Sequence, residues 1–269
     1  MIKTLTIAGF DGSGGAGIQA DLKVFSALGC YGMCVLTALP VQNTQGVRSC
    51  YEIDIKAIEE QLYCIFDDIV PDAIKIGMLF NNDIIKLVAN FLENNAKNIP
   101  IIVDPVMVAK SGDRLLLEDA VESLKKYIIP ISTVITPNIP EAEDITNKKI
   151  TTDEDMIAAA NDILKMGAKN VMLKGGHLDG KLSRDLFINS KEHEFLDAIR
   201  IDTKNTHGTG CTLSAAICSY IAHGKTPLEA CILAKNYLFN ALESAKIDSV
   251  GKGHGPVNHF YELWKYLKF

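Results

Sequence analysis

Short apolar runs alternate with longer amphipathic runs along most of this chain, and this alternation limits the fold more than any other feature of the sequence. Strands are predicted over residues 4–9, 33–39, 73–78, 101–103, 133–136 and 170–173, with shorter β-like runs at 185–189 and 194–201. Helices are predicted over residues 16–28, 55–66, 84–92, 115–127 and 228–245, and another follows Cys211. This pattern favours an α/β fold with a mostly parallel central sheet and helices on both faces. Since no linker, repeat or low-complexity tract interrupts it, we predict a single domain over residues 1–269.

Charge and cysteine usage narrow the class of protein. The 269 residues carry a formal net charge of -6, which argues against nucleic acid as the main partner because binding to a phosphate backbone needs a basic surface. No apolar stretch approaches membrane-spanning length and no secretory signal pattern is visible, so no membrane association is expected. The seven cysteines are irregularly spaced without a C-x-x-C motif, which predicts no disulfide framework and no zinc site. We therefore expect a cytoplasmic protein.

The segment from Asn205 to Ser214 carries the most specific chemical signal. Gly208 and Gly210 precede a run of small apolar residues that is typical of a buried helix, so backbone N–H groups and the positive end of the helix dipole would meet at this turn. Cys211 falls in the predicted first turn, where a thiolate is stabilised and its pKa is lowered. The segment could therefore hold a phosphate and supply a base. It is equally consistent with a tightly packed helix start that contains a small hydrophobic cysteine.

Polar side chains follow several of the predicted strands. Because ligands bind at the carboxyl ends of the strands in such a sheet, we expect these side chains to lie at a ligand-binding edge. Glu141 has two interpretations: its carboxylate could hold Mg²⁺ beside nucleotide phosphates, or it could stabilise the start of a helix that Asn138 caps. The polar residues at the strand ends are Asp11, Gln42, Asn43, Asp104, Asn138, Glu141 and Lys174.

The loop from Gly12 to Gly17 matches G-x-G-x-x-G and suggests a dinucleotide-binding oxidoreductase. That fingerprint includes an acidic residue about 20 residues further on, at the end of the second strand. Here this strand ends in the sequence ALPVQ at 38–42, which contains no carboxylate. We therefore interpret the loop as a substrate-facing turn in which small residues let a ligand approach the backbone, with a tight strand-to-helix turn as the alternative. No Walker A motif, H-E-x-x-H motif or G-x-S-x-G elbow is present.

A larger set of motifs runs through nearly the whole chain in a fixed order. The segments are LTIAG at 5–9, SGGAGIQADLK at 13–23, TA at 37–38, QNT at 42–44, KIGML at 75–79, DPVM at 104–107, KSG at 110–112, TPN at 136–138, PEA at 140–142, KGGH at 174–177, the whole segment 205–214, and GPV at 255–257 with His259. Together they resemble the ribokinase-like superfamily, and within it the hydroxymethylpyrimidine/phosphomethylpyrimidine kinases of thiamine biosynthesis.

The resemblance implies a three-layer α/β/α fold, a homodimer, and phosphoryl transfer from ATP with Mg²⁺. The acceptor would be 4-amino-5-hydroxymethyl-2-methylpyrimidine and then its monophosphate, which gives the diphosphate. The implied pyrimidine pocket contains Gly9, Ala16, Asp21, Gln42, Met78 and Val106, and the implied anion hole contains Gly208, Gly210 and Cys211. Lys174, His207, Thr209 and Lys235 would bind ATP, while Asp104 and Glu141 would organise Mg²⁺.

Three points of the resemblance leave alternatives open. Cys211 stands where most ribokinase-like sugar kinases carry a catalytic Asp, and a Cys there matches both the pyrimidine kinases and a related branch of pyridoxal kinases. A pyridoxal kinase or a dual-specificity enzyme is therefore the alternative, although Gln42 favours the pyrimidine branch because its amide can both donate to and accept from an aminopyrimidine edge. A non-catalytic vitamin-binding module is the alternative from another class. Residues 110–114 and 176–201 are the two candidates for a lid over the site.

Overall fold

A mostly parallel sheet of eight strands forms the centre of the structure. The computed structural model describes residues 1–107, 120–176 and 180–267 of the chain. Its strands within those ranges are β1 (Ile2–Ala8), β2 (Cys30–Leu36), β3 (Ala38–Asn43), β4 (Gly46–Glu52), β5 (Ala73–Ile76), β6 (Ile101–Val103), β7 (Val134–Ile135), β8 (Asn170–Leu173), β9 (Leu182–Asn189) and β10 (His193–Ile199). The central sheet has the order β10-β9-β8-β7-β6-β5-β1-β2, and only the contacts of β9 with β8 and with β10 are antiparallel. The predicted parallel sheet is confirmed.

The helices follow the strands in the predicted alternation, and more helices are present than the apolar pattern predicts. Within the described ranges they are α1 (Gly17–Ala27), α2 (Ile55–Asp68), α3 (Asn82–Asn95), α4 (Ala120–Ser123), α5 (Ile139–Thr146), α6 (Asp153–Lys165), α7 (Thr209–Ala222), α8 (Pro227–Ser244) and α9 (Tyr261–Trp264). A π-helical turn (Leu124–Ile128) and a 3₁₀ turn (Ile129–Ile131) continue α4, and the first part of the helix predicted over residues 115–127 lies outside the described residues. None of these helices combines the length and the apolar character that crossing a membrane requires.

Both faces of the sheet are covered by helices, which gives three layers. Neighbouring residues of one strand point to opposite faces, and accordingly Ile74 and Val103 pack in one core with α2, α3, α5 and α6. Ala73 and Ile102 pack in a second core with α1, α7 and α8. The predicted α/β/α architecture with helices on both faces is therefore confirmed. The prediction of one domain over residues 1–269 stays a prediction.

The chain leaves the central sheet about three residues earlier than the apolar pattern indicates. The sequence predicts one strand over residues 33–39, but β2 ends at Leu36 and β3 begins at Ala38 as part of a separate two-stranded ribbon with β4. Thr37 forms the corner, where its backbone N–H donates to the carbonyl oxygen of Ala8 at 3.0 Å and its hydroxyl donates to that of Met78 at 2.6 Å. The ribbon, rather than the end of a sheet strand, therefore carries Gln42.

Candidate active site

A cavity of about 660 Å³ opens where the parallel strands end. The loops that follow β1, β5, β6 and β8 contribute to its wall, together with the start of α7 and one face of α8. All of the residues to which the resemblance assigns a role line this cavity, with the exception of Asp21. They are Gly9, Ala16, Gln42, Met78, Asp104, Val106, Glu141, Lys174, His207, Gly208, Thr209, Gly210, Cys211 and Lys235.

The glycine-rich loop after β1 is folded around the carboxylate of Asp11, which is fully buried. Oδ1 of Asp11 accepts hydrogen bonds from the backbone N–H and the hydroxyl of Ser13 at 2.9 and 2.7 Å. Oδ2 accepts from the backbone N–H groups of Gly15 and Ala16 at 3.0 and 2.8 Å. Burial acts to raise the pKa of Asp11, but the hydrogen bonds from His207 and Ser13 outweigh it and hold that pKa at about 2. The loop is thus a tight turn organised by an ionised carboxylate.

Gly208 packs against the same loop at the start of α7. Its φ of +76° lies in the left-handed region, and a β-carbon at this position would lie 1.7 Å from the carbonyl oxygen of Gly15. Both the backbone conformation and the close approach therefore require glycine. Helix α7 begins at Thr209, and Gly208 has no side chain that could cap it. The first N–H groups of the helix, at the positive end of its dipole, therefore border the cavity without a side-chain cap from Gly208. This geometry fits the predicted anion hole.

His207 is held by the loop rather than extended freely toward a nucleotide. Its Nε2 lies 2.8 Å from Oδ2 of Asp11, and a β-carbon on Gly15 would lie 2.4 Å from its Cδ2 atom. The ring still borders the cavity, with 13% of its side chain exposed. In the structure, His207 joins the loop after β1 to the turn before α7.

Cys211 has the opposite acidity from the one that its position in the helix predicts. It occupies the third residue of α7 and lines the cavity. Burial raises the pKa of the Cys211 thiol to about 11, since nearby Lys75 stabilises the thiolate only in part and the carboxylates of Asp21 and Asp104 disfavour it. The expectation of a lowered pKa is therefore wrong, because burial and the neighbouring carboxylates outweigh the effect of Lys75 at this site.

Lys174 connects the two carboxylates that the resemblance assigns to Mg²⁺. Its Nζ donates to Oδ1 of Asp104 at 2.9 Å and lies 3.9 Å from Oε2 of Glu141. Glu141 also accepts from the backbone N–H of Asn138 at 2.8 Å, and the side chain of Asn138 accepts in return from the backbone N–H of Glu141. The helix-capping interpretation of this pair is confirmed. Burial raises the pKa of Glu141 to about 7, although Lys174 opposes that shift.

The carboxylates of Asp104 and Glu141 fit a hydrated magnesium ion better than a site built from protein ligands alone. Within the described ranges, no group of three or more His, Cys, Asp or Glu side chains is arranged to hold a metal ion. Mg²⁺ is commonly bound by one or two carboxylates, with phosphate oxygens and water completing its octahedral shell. A β-carbon on Gly210 would lie 3.1 Å from Oδ2 of Asp104, so this carboxylate borders the start of α7.

Lys235 belongs to a buried ion pair that borders the cavity. Its Nζ donates to Oδ2 of Asp185 at 2.6 Å and to the carbonyl oxygen of Ser183 at 2.9 Å. Oδ1 of Asp185 accepts from the backbone N–H of Gly175 at 2.9 Å, so the pair fixes β9 against the turn after β8. The side chains around it form an apolar wall that sequence reasoning does not identify, since its members come from distant segments: Ile199, Ile201, Leu213, Leu238, Phe239 and Leu242.

Asp21 corrects the prediction for the pyrimidine pocket. It is fully buried and is not part of the cavity wall. Its Oδ2 instead accepts from Nζ of Lys75 at 2.8 Å and from the hydroxyl of Thr6 at 2.6 Å. Lys75 does line the cavity. Sequence analysis assigns Lys75 no role beyond membership of a motif, and only the fold reveals that it pairs with Asp21.

The two segments predicted as lids have different outcomes. Residues 110–114 lie outside the described residues. Most of the second segment forms β9 and β10 of the central sheet, and residues 177–179 of it are likewise outside the described part of the chain. Which segment closes the site stays a prediction.

Comparisons with known proteins find relatives over nearly the whole chain. A family model described as phosphomethylpyrimidine kinase matches residues 11–258. The chain is 46% identical over 262 residues to a hydroxymethylpyrimidine/phosphomethylpyrimidine kinase of Rhizobium meliloti (strain 1021), which covers 97% of this chain and 98% of that protein.

Two solved structures show the same fold. The phosphomethylpyrimidine kinase from Clostridium difficile 630 is 46% identical with a TM-score of 0.80, over 90% of this chain and 100% of that one. The pyridoxal kinase from Staphylococcus aureus in complex with ADP is 38% identical with a TM-score of 0.90, over 98% of this chain and 95% of that one.

Proposed function

The chain belongs to the phosphomethylpyrimidine kinase family, and from this premise we propose that it phosphorylates 4-amino-5-hydroxymethyl-2-methylpyrimidine and then the resulting monophosphate. ATP is the phosphoryl donor in both steps, and the diphosphate product enters thiamine biosynthesis. The fold is the ribokinase-like fold that the sequence resemblance implies.

One observation carries the proposal: a single cavity is bordered both by residues of the implied pyrimidine pocket and by the start of α7. Gly9, Met78 and Val106 form apolar and backbone surface at one part of its wall, and Gly208 and Lys174 lie at another. Phosphoryl transfer requires the acceptor and the phosphate chain to meet in one water-excluding site, because positioning and charge stabilisation supply most of the catalysis. In this chain both sets of residues border the same cavity.

Gln42 is the residue that we assign to recognition of the pyrimidine edge. It stands on the ribbon above the cavity, and its Nε2 lies 3.4 Å from the carbonyl oxygen of Phe10 in the loop after β1. The side-chain amide offers both donors and an acceptor, which matches a ring nitrogen next to an exocyclic amino group. A contact between the Gln42 amide and the ring would favour a pyrimidine over a substrate that lacks such an edge.

The transfer step uses the start of α7 and the cations around it. The hydroxymethyl oxygen of the acceptor bonds to the γ-phosphorus of ATP while the bond to the bridging oxygen of ADP breaks, and the hydroxyl proton ends in solution. We assign stabilisation of the phosphate charge to the backbone at Gly208, Gly210 and Cys211, with Lys174 close by. Because the pKa of Cys211 is raised to about 11, its side chain is a neutral thiol at neutral pH, and its contribution is that of position rather than of a preformed thiolate.

Asp104 and Glu141 would hold Mg²⁺ with water and phosphate oxygens as its other ligands. The ion would neutralise charge on the β- and γ-phosphates. Burial acts to lower the pKa of Lys174, but the carboxylates of Asp104 and Glu141 outweigh it and raise that pKa, so a positive charge stays between them. The apolar wall beside Lys235 suits the base of the nucleotide.

A coupled assay of ADP release tests this function. Purified protein receives Mg·ATP with the hydroxymethylpyrimidine, with its monophosphate, or with pyridoxal, in parallel. We expect turnover of both pyrimidine compounds and slow turnover of pyridoxal. Absence of turnover with all three compounds, in protein whose ATP binding is intact by calorimetry, would contradict the proposal and favour a non-catalytic binding module.

A pyridoxal kinase is the second candidate, since the Staphylococcus aureus pyridoxal kinase has a very similar fold. Turnover of pyridoxal alone would make this candidate correct. Comparable turnover of all three compounds would indicate a dual-specificity enzyme. Gln42→Leu separates the pyrimidine contact from general damage, because we expect it to raise the KM for the pyrimidine and leave the KM for ATP unchanged.

Assembly and compartment complete the proposal. We propose a homodimer on the basis of the family resemblance, and light scattering during size-exclusion chromatography tests it. Because the donor is ATP, we place the reaction in the cytoplasm. A monomeric mass at micromolar concentration would contradict the dimer without affecting the assignment of the reaction.

A further inference from the structure

Lys75 is a fully buried lysine beside the cavity. It lies one residue before the end of β5 and pairs in register with Thr6 of β1. Both Lys75 and its partner Asp21 have no exposed surface, and Nζ lies 2.8 Å from Oδ2 of Asp21. The hydroxyl of Thr6 donates to the same carboxylate oxygen at 2.6 Å. The lysine is therefore held in one position by neighbours on β1 and α1.

The ammonium group retains unused hydrogen-bonding capacity. An ammonium has three N–H donors, and in the described part of the chain the structure gives Nζ of Lys75 one acceptor, Oδ2 of Asp21. Lys235, the comparable buried lysine of the cavity, has two acceptors, Oδ2 of Asp185 and the carbonyl oxygen of Ser183. Leaving the donors of a buried cation unpaired is unfavourable. We therefore expect the remaining N–H groups of Lys75 to donate to an acceptor that the chain does not supply.

The position of Lys75 shows where that acceptor would lie. Lys75 borders the cavity together with Ala8 and Met78, but its side chain has no exposed surface, so the wall must shift slightly before a ligand oxygen can reach its ammonium. A β-carbon on Gly77 would lie 2.8 Å from Nζ of Lys75 and 3.0 Å from the β-carbon of Ala8, so the ammonium sits against the part of the wall formed by these small residues.

The charge of Lys75 is secure and acts on the transfer end of the cavity. Burial acts to lower the pKa of Lys75, but the carboxylates of Asp21 and Asp104 outweigh it and hold that pKa above its usual value. Lys75 also stabilises negative charge at Cys211. A fixed cation therefore lies between the pyrimidine pocket and the start of α7.

We propose that Lys75, positioned by Asp21, is a catalytic residue that contacts the reacting oxygen of the acceptor. This inference rests on the proposed function. In the first transfer the contact is to the hydroxymethyl oxygen, and in the second it is to a phosphate oxygen of the monophosphate. Lys75 keeps its proton in both steps and stabilises the negative charge on the attacking oxygen. Asp21 is a positioning residue that does not touch the substrate.

The experiment compares wild type with Lys75→Met and with the double variant Lys75→Met/Asp21→Asn. The single variant leaves the Asp21 carboxylate buried without its cation, so it is expected to lose stability. The double variant removes both charges and keeps a similar volume, which separates the substrate contact from the ion pair. Thermal unfolding and calorimetry with ATP establish that the double variant is folded and binds nucleotide.

We expect kcat of the double variant to fall about 100-fold or more with both pyrimidine compounds, as for removal of one donor from an oxyanion site. Its affinity for the monophosphate should fall about 10-fold to 100-fold by calorimetry, which corresponds to one hydrogen bond to a charged group. Affinity for the uncharged pyrimidine should change about 3-fold or less, because that compound carries no charge for Lys75 to neutralise.

Two other outcomes are distinguishable. A double variant that is as active as an active wild type would overturn the inference alone, since Lys75 would then serve only as a counter-ion for Asp21. Wild-type protein that phosphorylates neither pyrimidine compound would overturn the proposed function and this inference with it.

Discussion

Nε2 of His207 lies 2.8 Å from Oδ2 of Asp11, and this contact joins the glycine-rich loop after β1 to the turn before α7. The same carboxylate oxygen accepts from the backbone N–H groups of Gly15 and Ala16. One ionised side chain thus holds together the loop that borders the proposed pyrimidine pocket and the helix start to which we assign phosphate binding. The two halves of the cavity are therefore positioned by one group that is itself buried.

Asp11→Asn tests this link. Asparagine has one side-chain oxygen where aspartate has two, and its NH2 group cannot accept a hydrogen bond. We therefore expect the loop to lose one of its backbone contacts and the free energy of unfolding to fall by about 1–3 kcal/mol. The KM values for both the pyrimidine and ATP should rise together, because both halves of the site depend on the carboxylate. Ser13→Ala is the matched control, since it removes only the hydroxyl contact to Oδ1 and should change either KM by about 2-fold or less. An Asp11→Asn variant with a raised KM for one substrate only would show that the halves are independent.

The contact between Gly208 and Gly15 leads to a second prediction. Gly208 and Gly29 have the same φ of +76°, but a β-carbon at Gly208 would lie 1.7 Å from a carbonyl oxygen whereas nothing lies within 4 Å of one at Gly29. Gly29→Ala should therefore lose only the cost of a left-handed alanine, about 1–2 kcal/mol in the free energy of unfolding. Gly208→Ala should lose more stability and about 100-fold in kcat, because the anion-binding turn must move. Urea unfolding and steady-state kinetics measure both. Equal losses in the two variants would mean that the close approach to Gly15 does not occur.

How far the sequence predicts this structure depends on whether a feature is local. The strand and helix alternation predicts the sheet and both helical layers because burial of an apolar stripe is a property of a short segment. The corner at Thr37 is not predictable in this way, since apolar residues continue through it and the hydrogen bonds that form it come from Ala8 and Met78. Helix α6 is missed because two of its buried positions, Ala159 and Ala160, are alanines that weaken the apolar period.

The same distinction applies to the site. Motif letters place most of the cavity wall correctly, because they lie in loops at the ends of parallel strands. They place Asp21 in the pocket, whereas its carboxylate turns away to a lysine 54 residues further along the chain. They predict for Cys211 the lowered pKa of a thiol at an exposed helix start, whereas burial raises that pKa. Pairing and desolvation are properties of the folded molecule, and no local pattern in the sequence reports them.

The raised pKa of Cys211 predicts slow reaction with a neutral alkylating reagent. Thiolate, not thiol, reacts with iodoacetamide, so at pH 7.5 we expect the exposed Cys64 to be labelled about 10-fold or more faster than Cys211. The rate at Cys211 should continue to rise between pH 8 and pH 10 as the thiol begins to ionise. Peptide mass spectrometry after timed quenching measures each site separately. Preferential labelling of Cys211 at neutral pH would show that the helix dipole outweighs burial after all.

Glu141→Gln separates the two roles of this side chain. Glutamine preserves the reciprocal cap with Asn138, so the free energy of unfolding should stay within about 1 kcal/mol of wild type. The negative charge is lost, and we expect the Mg²⁺ concentration for half-maximal activity to rise about 10-fold or more at fixed ATP. A magnesium titration of the coupled assay measures this. Glu143, a nearby residue of α5 that pairs with the exposed Lys149, provides the control variant Glu143→Gln, which should need no more Mg²⁺ than wild type.

His259 makes the folded protein sensitive to acid. Its side chain is buried with Nε2 3.2 Å from the hydroxyl of Thr212, and burial lowers the pKa of His259 from 6.5 to about 3. Below pH 6.5 the unfolded chain therefore takes up a proton here that the folded chain does not. The free energy of unfolding is fully maintained above that pH and should fall by about 1.4 kcal/mol per pH unit between pH 6 and pH 4 from this group.

Urea unfolding at pH 7, 6, 5 and 4 measures the slope, and His259→Gln should remove this part of it. His193→Gln, a change on the exposed end of β10, is the matched control and should retain the full slope. Because the contribution is absent above pH 6.5, the two variants must differ in how stability changes with pH and not merely in stability at pH 7. Identical acid slopes in wild type and His259→Gln would mean that the folded protein admits a proton at His259, and hence that the contact with Thr212 opens to solvent below pH 6.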